Sequence, residues 1–164
     1  MFRIALSLLT LLLCSTAPQA QHKAHTHGEG TLSLAQDNSD WYLELALPAM
    51  DLLGFEHAPQ NTAQKQKINE LADRLGDSDN LIRFSPDCRL TEKVLELPDQ
   101  HRSDHHHHSD ISVQYRFSCP GDVSNARLTI FTWATSLHLL HTQWLTQKST
   151  ASARLTPEQP QIEF

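Results

Sequence analysis

Ile111, Val113, Tyr115, Phe117 and Cys119 stand at every second position of one unbroken run. Side chains on a strand alternate between two faces, so this spacing puts five apolar groups on one face. Ser112, Gln114, Arg116 and Ser118 fall on the other. A helix would scatter the same residues around its axis. The run therefore predicts a β-strand with one buried face, and such a strand needs partner strands beside it and a second layer over it.

The rest of the chain supplies both. Leu32 and Leu34 alternate within Thr31 to Ala35, Asp37-Asn38-Ser39-Asp40 reads as a turn, and Trp41, Leu43, Leu45 and Leu47 alternate again. This is the pattern of a β-hairpin with one buried face. Strand resumes over Leu81 to Phe84 and Cys88 to Leu97, and again over Arg127 to Trp133, Leu139 to Gln147, Ala151 to Leu155 and Ile162 to Phe164. Between Pro48 and Pro59 the chain reads as an apolar connection. One helix is expected at about 62–75: Asn61 suits the N-cap with Gln64 three residues on, Ile68, Leu71, Ala72 and Leu75 recur at helical spacing, and Gly76 is a natural stop. The fold class is α+β, mostly antiparallel β-sheet in a sandwich-like arrangement with one main α-helix.

The N-terminus carries a different signal. Arg3, the apolar run Ile4 to Leu13 and the segment Ala17-Pro18-Gln19-Ala20 form the three parts of a secretory signal peptide over residues 1–20. Leu13 is too large to precede a lipidated cysteine at Cys14, and the apolar run falls short of the ~20 residues of a membrane span. One domain is expected over 21–164. With Cys14 gone, Cys88 and Cys119 remain as an even pair in an oxidising compartment, most simply a disulfide. Thiolate metal ligation is the competing reading, without a Cys-x-x-Cys companion to support it. Losing Arg3 from 13 basic residues leaves 12 against 19 acidic ones, a net charge of −7. That balance favours cations over nucleic acid or anionic membrane as partners.

Histidine placement says which cations. Between Pro98 and Asp110 lie five histidines, His101 and the run His105, His106, His107, His108, with Asp99, Asp104 and Asp110. Consecutive imidazoles cannot share a packed core, because their nitrogens would be buried without partners. In water they are ligands for zinc, copper or nickel. The segment would join two antiparallel strands as a connection of about a dozen residues, where two to five are usual. A second group opens the mature chain: in an extended segment His25, His27 and Glu29 face one way, roughly 6.5–7 Å apart, and can share one ion. His57 is either a ligand or a capping residue ahead of the helix. His138 and His141, three apart, would share a face on a helical turn but oppose each other on a strand, and read as surface or packing histidines first and as metal ligands second. No His-Glu-x-x-His, Gly-x-Ser-x-Gly, phosphate loop or free mature cysteine points to an enzyme.

Together the exported leader, His25-Thr26-His27-Gly28, Leu53-Gly54-Phe55-Glu56-His57-Ala58-Pro59, the paired cysteines, the histidine loop before Ile111 to Cys119 and the Leu155-Thr156-Pro157 ending make the chain similar to a known family. It resembles the ZrgA-like, zinc-regulated periplasmic zinc-binding proteins of Gram-negative bacteria. The resemblance implies a periplasmic protein, made under zinc scarcity, that binds Zn2+ and assists high-affinity uptake, with the solute-binding subunit of a zinc ABC transporter as partner. By position it implies His25, His27, His57, His101, His105, His106, His107 and His108 as ligands. The loop is short for such a family, so one or two ions are expected rather than many. A flexible loop loses roughly 1–2 kcal/mol of entropy per backbone residue fixed, which suits capture and release better than storage. Imidazole must shed its proton to bind metal, so affinity is expected to fall from pH 7.5 to 5.5, around the free imidazole value of ~6.5. The alternatives are a binding protein for nickel or copper, and a transporter-docking element with incidental metal.

Overall fold

The structure, a computed structural model, describes residues 26–98 and 110–164. The leader at 1–20, His25, His101 and His105 to His108 lie outside the described residues. Nine strands and two helices follow in the order β1 (Glu29–Asp37), β2 (Asp40–Pro48), α1 (Ala49–Leu53), α2 (Thr62–Gly76), β3 (Ile82–Ser85), β4 (Arg89–Glu96), β5 (Asp110–Ser118), β6 (Asn125–Leu128), β7 (Leu139–Leu145), β8 (Thr150–Leu155) and β9 (Gln161–Glu163) among the described residues. They form a six-stranded sheet, β4-β5-β2-β1-β7-β8, and a three-stranded sheet, β3-β6-β9. Every pairing is antiparallel except β1 with β7, which run parallel.

The alternating run became β5, and its register explains the core. Ile111, Val113, Tyr115 and Phe117 lie opposite Leu47, Leu45, Leu43 and Trp41 of β2. Leu45 and Leu43 in turn oppose Leu32 and Leu34 of β1. These side chains make one apolar plate, all of it buried. Helix α2 covers part of the plate through Ile68, Leu71 and Leu75, and the small sheet adds Ile82, Phe84, Ala126, Leu128 and Ile162 to the same core. Phe84 bridges the two sheets, its ring 5.5 Å from Trp41 and 5.0 Å from Phe117. Each large apolar side chain buried this way contributes about 1.5–3 kcal/mol. The expected α+β class, antiparallel sheet and single main helix are all present.

Local chemistry sets the helix ends. Asn61 Oδ1 accepts from the Gln64 N–H at 2.9 Å, and Gln64 Oε1 accepts from the N–H of Gln60, just before the cap, at 2.7 Å, so one donor of the first turn and one at its entry are satisfied. Gly76 does end α2, but without a left-handed turn; the cap is Asp77 at φ −104. Two other expectations need correction. The stretch between Pro48 and Pro59 contains the short helix α1, closed by Gly54 at φ 78, whose N–H donates to the Met50 carbonyl. The strand expected over Arg127 to Trp133 stops at Leu128 and gives way to a 3-10 turn at Ile130–Thr132. The pairing of β7 with β1 is parallel, a strand order on which the sequence is silent.

Cys88 and Cys119 form the expected disulfide, with Cα atoms 4.4 Å apart. It fastens one end of the β4–β5 hairpin, where Arg89 opposes Ser118. At the other end Glu96 opposes Ser112, so the histidine-rich connection departs there. Asp110, at its return, pairs with Pro48, the last residue of β2 and the one before α1. The start of β7 lies at this same end, since Glu29 pairs with Leu139. Among the described residues no helix is long and apolar enough to cross a membrane.

Candidate metal centre

Gly28 is the residue around which the candidate ligands gather. It lies in a turn at φ 81, ahead of β1, and the Glu29 N–H donates back to the Thr26 carbonyl at 3.1 Å. Its own N–H donates to Asp51 Oδ2 at 2.7 Å. Its carbonyl accepts from the His138 and Leu139 N–H groups at 2.8 and 3.0 Å. A Cβ at this position would come within 2.5 Å of His138 Cδ2. Helix α1 thus holds one side of the glycine and the approach to β7 the other.

From His27 to Glu29 this turn overrides the extended geometry expected. Alternation begins only at Glu29, so His27 and Glu29 do not share an edge. Glu29 faces away from the buried row of β1 and meets His141, Oε2 to Nε2 at 2.9 Å. His27 turns toward α1, where its Nδ1 lies 3.7 Å from Glu56 Oε1 and 4.0 Å from Asp51 Oδ1.

Oxygen acceptors fix the other imidazoles. His57 Nδ1 lies 2.9 Å from the Ala58 carbonyl, and because a carbonyl only accepts, Nδ1 carries the proton. That leaves the His57 Nε2 lone pair for a metal. The ring stacks on Phe55 at 5.4 Å, and Asn61 rather than His57 caps α2. His141 donates through Nε2 to the Glu29 carboxylate, which leaves Nδ1 as its lone-pair nitrogen. Metal-binding histidines characteristically have one nitrogen held by an oxygen in this way, which orients the ring and raises its basicity.

Among the described residues, no group of three or more His, Cys, Asp or Glu side chains is already arranged to hold a metal ion. His25 and the loop histidines fall outside that comparison. What the fold does is bring His27, Glu29 and His138 to one glycine, at the end of the sheet where the histidine-rich connection leaves and returns. Sequence reasoning missed Asp51 and Glu56 as neighbours of this cluster and ranked His141 low. Glu56 stands next to His57 and was within reach of inspection. Asp51 meets Gly28 across 23 residues and has no periodic signal to announce it.

A family profile described as ZrgA family zinc uptake protein matches residues 24–164. The chain belongs to the ZrgA family. Comparison with individual curated proteins finds no match. Membership gives the protein a role in zinc uptake. The donors around Gly28 suit that cargo, since zinc takes imidazole nitrogen at about 2.0–2.1 Å and carboxylate oxygen at about 2.0–2.2 Å. In this ZrgA protein those donors sit on a turn, a short helix and a strand start, each tied to Gly28 or to its neighbours by hydrogen bonds.

Proposed function

We propose that this ZrgA protein captures zinc in the periplasm and passes it to the solute-binding subunit of a high-affinity zinc transporter. The leader at residues 1–20 supports export, and family membership supports zinc as the cargo. The observation that carries the reading is the Gly28 turn, which gathers imidazole and carboxylate groups at the end of the sheet from which the histidine-rich connection departs. His25, His27, Glu29 and His57 form the ligand pool on the scaffold, and His101 and His105 to His108 form the collector. A collector of weak individual sites raises the local zinc concentration, and a scaffolded site holds one ion long enough to transfer it.

The test uses the mature chain without an affinity tag. Zinc is titrated against nickel, each in competition with a chromophoric chelator, at pH 7.5 and 5.5. Zinc is expected to bind more tightly at the scaffolded site, with affinity falling steeply at the lower pH because imidazole ligands must lose their protons. Zinc-loaded protein mixed with the metal-free transporter subunit is expected to lose its ion to that subunit. Preferential nickel binding, or a pH-independent zinc affinity, would defeat the proposal.

A further inference from the structure

We propose that β8 is a self-association edge, pairing antiparallel with β8 of a second copy of this chain about a two-fold axis at Ser152. β8 is the last strand of the six-stranded sheet, with β7 on one side and no strand on the other among the described residues. Its backbone directions follow from its neighbours. The Leu139 N–H donates to the Gly28 carbonyl ahead of β1, and the Thr146 N–H donates to the Ser149 carbonyl across the hairpin turn. Odd-numbered residues of β7 therefore turn toward β1 and even-numbered ones toward β8. Antiparallel partners alternate between pairs that exchange both hydrogen bonds and pairs whose polar groups point away. Leu140, Thr142 and Trp144 thus bond Leu155, Ala153 and Ala151, while Thr150, Ser152 and Arg154 aim their N–H and C=O groups at the open edge.

Open edges are ordinarily blunted by charge or by a bulge. β4, at the far edge of the same sheet, has both: Arg89, Glu92, Lys93 and Glu96 lie along it, and its register shifts between Leu90 and Glu92. β8 has neither, since Thr-Ala-Ser-Ala-Arg-Leu carries its charge at Arg154 alone and runs in unbroken register with β7. Its spacing is also self-complementary. With Ser152 opposite Ser152 of the second copy, Thr150 of each chain falls opposite Arg154 of the other, and every facing pair exchanges both N–H···O bonds. The two arginines then stand about 13 Å apart along the joined strands, beyond the ~8 Å reach of charge repulsion in physiological salt. Leu145, an apolar side chain left 57% exposed, lies opposite Thr150 and so in the row that Arg154 of the second copy extends. The aliphatic stem of that arginine can cover it. Gly28 lies by the Leu139 end of β7, so the two copies carry their candidate metal ligands at opposite ends of the joined sheet, clear of the contact.

The test follows the mature, metal-free protein by sedimentation velocity over about a hundredfold range of concentration, with backbone hydrogen exchange at both ends of that range. So short an edge buries less than a permanent interface does, so the dimer is expected toward the upper concentrations. There the Thr150, Ser152 and Arg154 N–H groups are expected to exchange at least about tenfold more slowly than in the dilute protein, while those of Ala151 and Ala153, bonded to β7, are slow throughout. Ser152→Pro removes an edge donor without touching the β7 ladder, which is where a strand tolerates proline. Ser152→Lys sets two ammonium groups against each other on the two-fold axis. Both variants are expected to be monomeric with nearly the parental thermal midpoint, and Val94→Lys, at an exposed position on β4, is expected to dimerise as the parent does. A protein that is monomeric at every concentration, or a dimer that both folded Ser152 variants leave intact, would overturn the proposal. Protection of the three edge N–H groups already complete in the dilute monomer would overturn it by giving the edge to this chain's own residues, and protection that appears only with the transporter subunit would give the edge to that subunit instead.

Discussion

Two glycines show how one backbone requirement separates stability from binding. Gly28 and Gly54 both adopt the left-handed region, at φ 81 and 78. An L-residue there costs roughly 1–2 kcal/mol, so Gly28→Ala and Gly54→Ala are expected to lower stability by similar amounts in chemical denaturation. Their surroundings differ. A Cβ on Gly54 meets nothing within 4 Å, whereas one on Gly28 drives into the His138 ring and the Ser136 carbonyl. It would also disturb the hydrogen bond to Asp51 that fixes the carboxylate beside His27. Zinc titration is therefore expected to show a clear loss of affinity for Gly28→Ala and none for Gly54→Ala. The same glycine explains where reading the sequence stopped. The His-x-His-Gly spacing announced ligand chemistry, but alternation was carried back through Gly28, where the chain in fact turns. The contacts of Asp51 and His141 come from α1 and from the parallel β1–β7 pairing, and neither is encoded in local spacing.

The joint between α2 and β5 is made by Tyr115, whose hydroxyl donates to the Leu75 carbonyl at the end of the helix. Burial, and then the nearby Asp77 charge, pushes the phenol well above its ordinary value of 10.0. The native state thus keeps this proton where the unfolded chain gives it up. Bound protons then favour the native state, so stability is whole below pH 10 and declines as pH rises past it. Tyr115→Phe is expected to cost about 1–3 kcal/mol at neutral pH, by leaving a buried carbonyl without its donor, and to flatten this alkaline decline. Denaturation of both proteins at pH 8 and 10.5 checks it. The strand itself was the most legible part of the sequence, because period-two apolar spacing follows directly from burial of one face. Helix α2 was legible for the same reason at its own period, with Asn61 and Gln64 marking its start. What escaped notice was short: α1 and the 3-10 turn after Leu128 are too brief to show a period, and the residues of Arg127 to Trp133 serve a turn as well as a strand.

The molecule keeps its covalent fastening and its histidines at opposite ends of one hairpin. Cys88–Cys119 closes the end where Arg89 opposes Ser118, and the histidine-rich connection spans the end where Glu96 opposes Ser112. Deleting residues 99–109 leaves Leu97, Pro98, Asp110 and Ile111 between Glu96 and Ser112, a connection within the usual two to five residues of a hairpin. Shortening a closed loop changes its closure entropy only logarithmically, by about 1 kcal/mol here and in the favourable direction. The deleted protein is therefore expected to fold with a thermal midpoint within a few degrees of the parent. Because His25, His27, Glu29 and His57 remain, its tightest zinc affinity is expected to be unchanged, while the number of zinc ions bound at saturation falls. Transfer to the transporter subunit should slow when free zinc is scarce, since the collector is gone, and recover when zinc is plentiful. Loss of the tightest site on deletion would place that site in the loop and reverse the order of capture, making the Gly28 cluster the weaker relay.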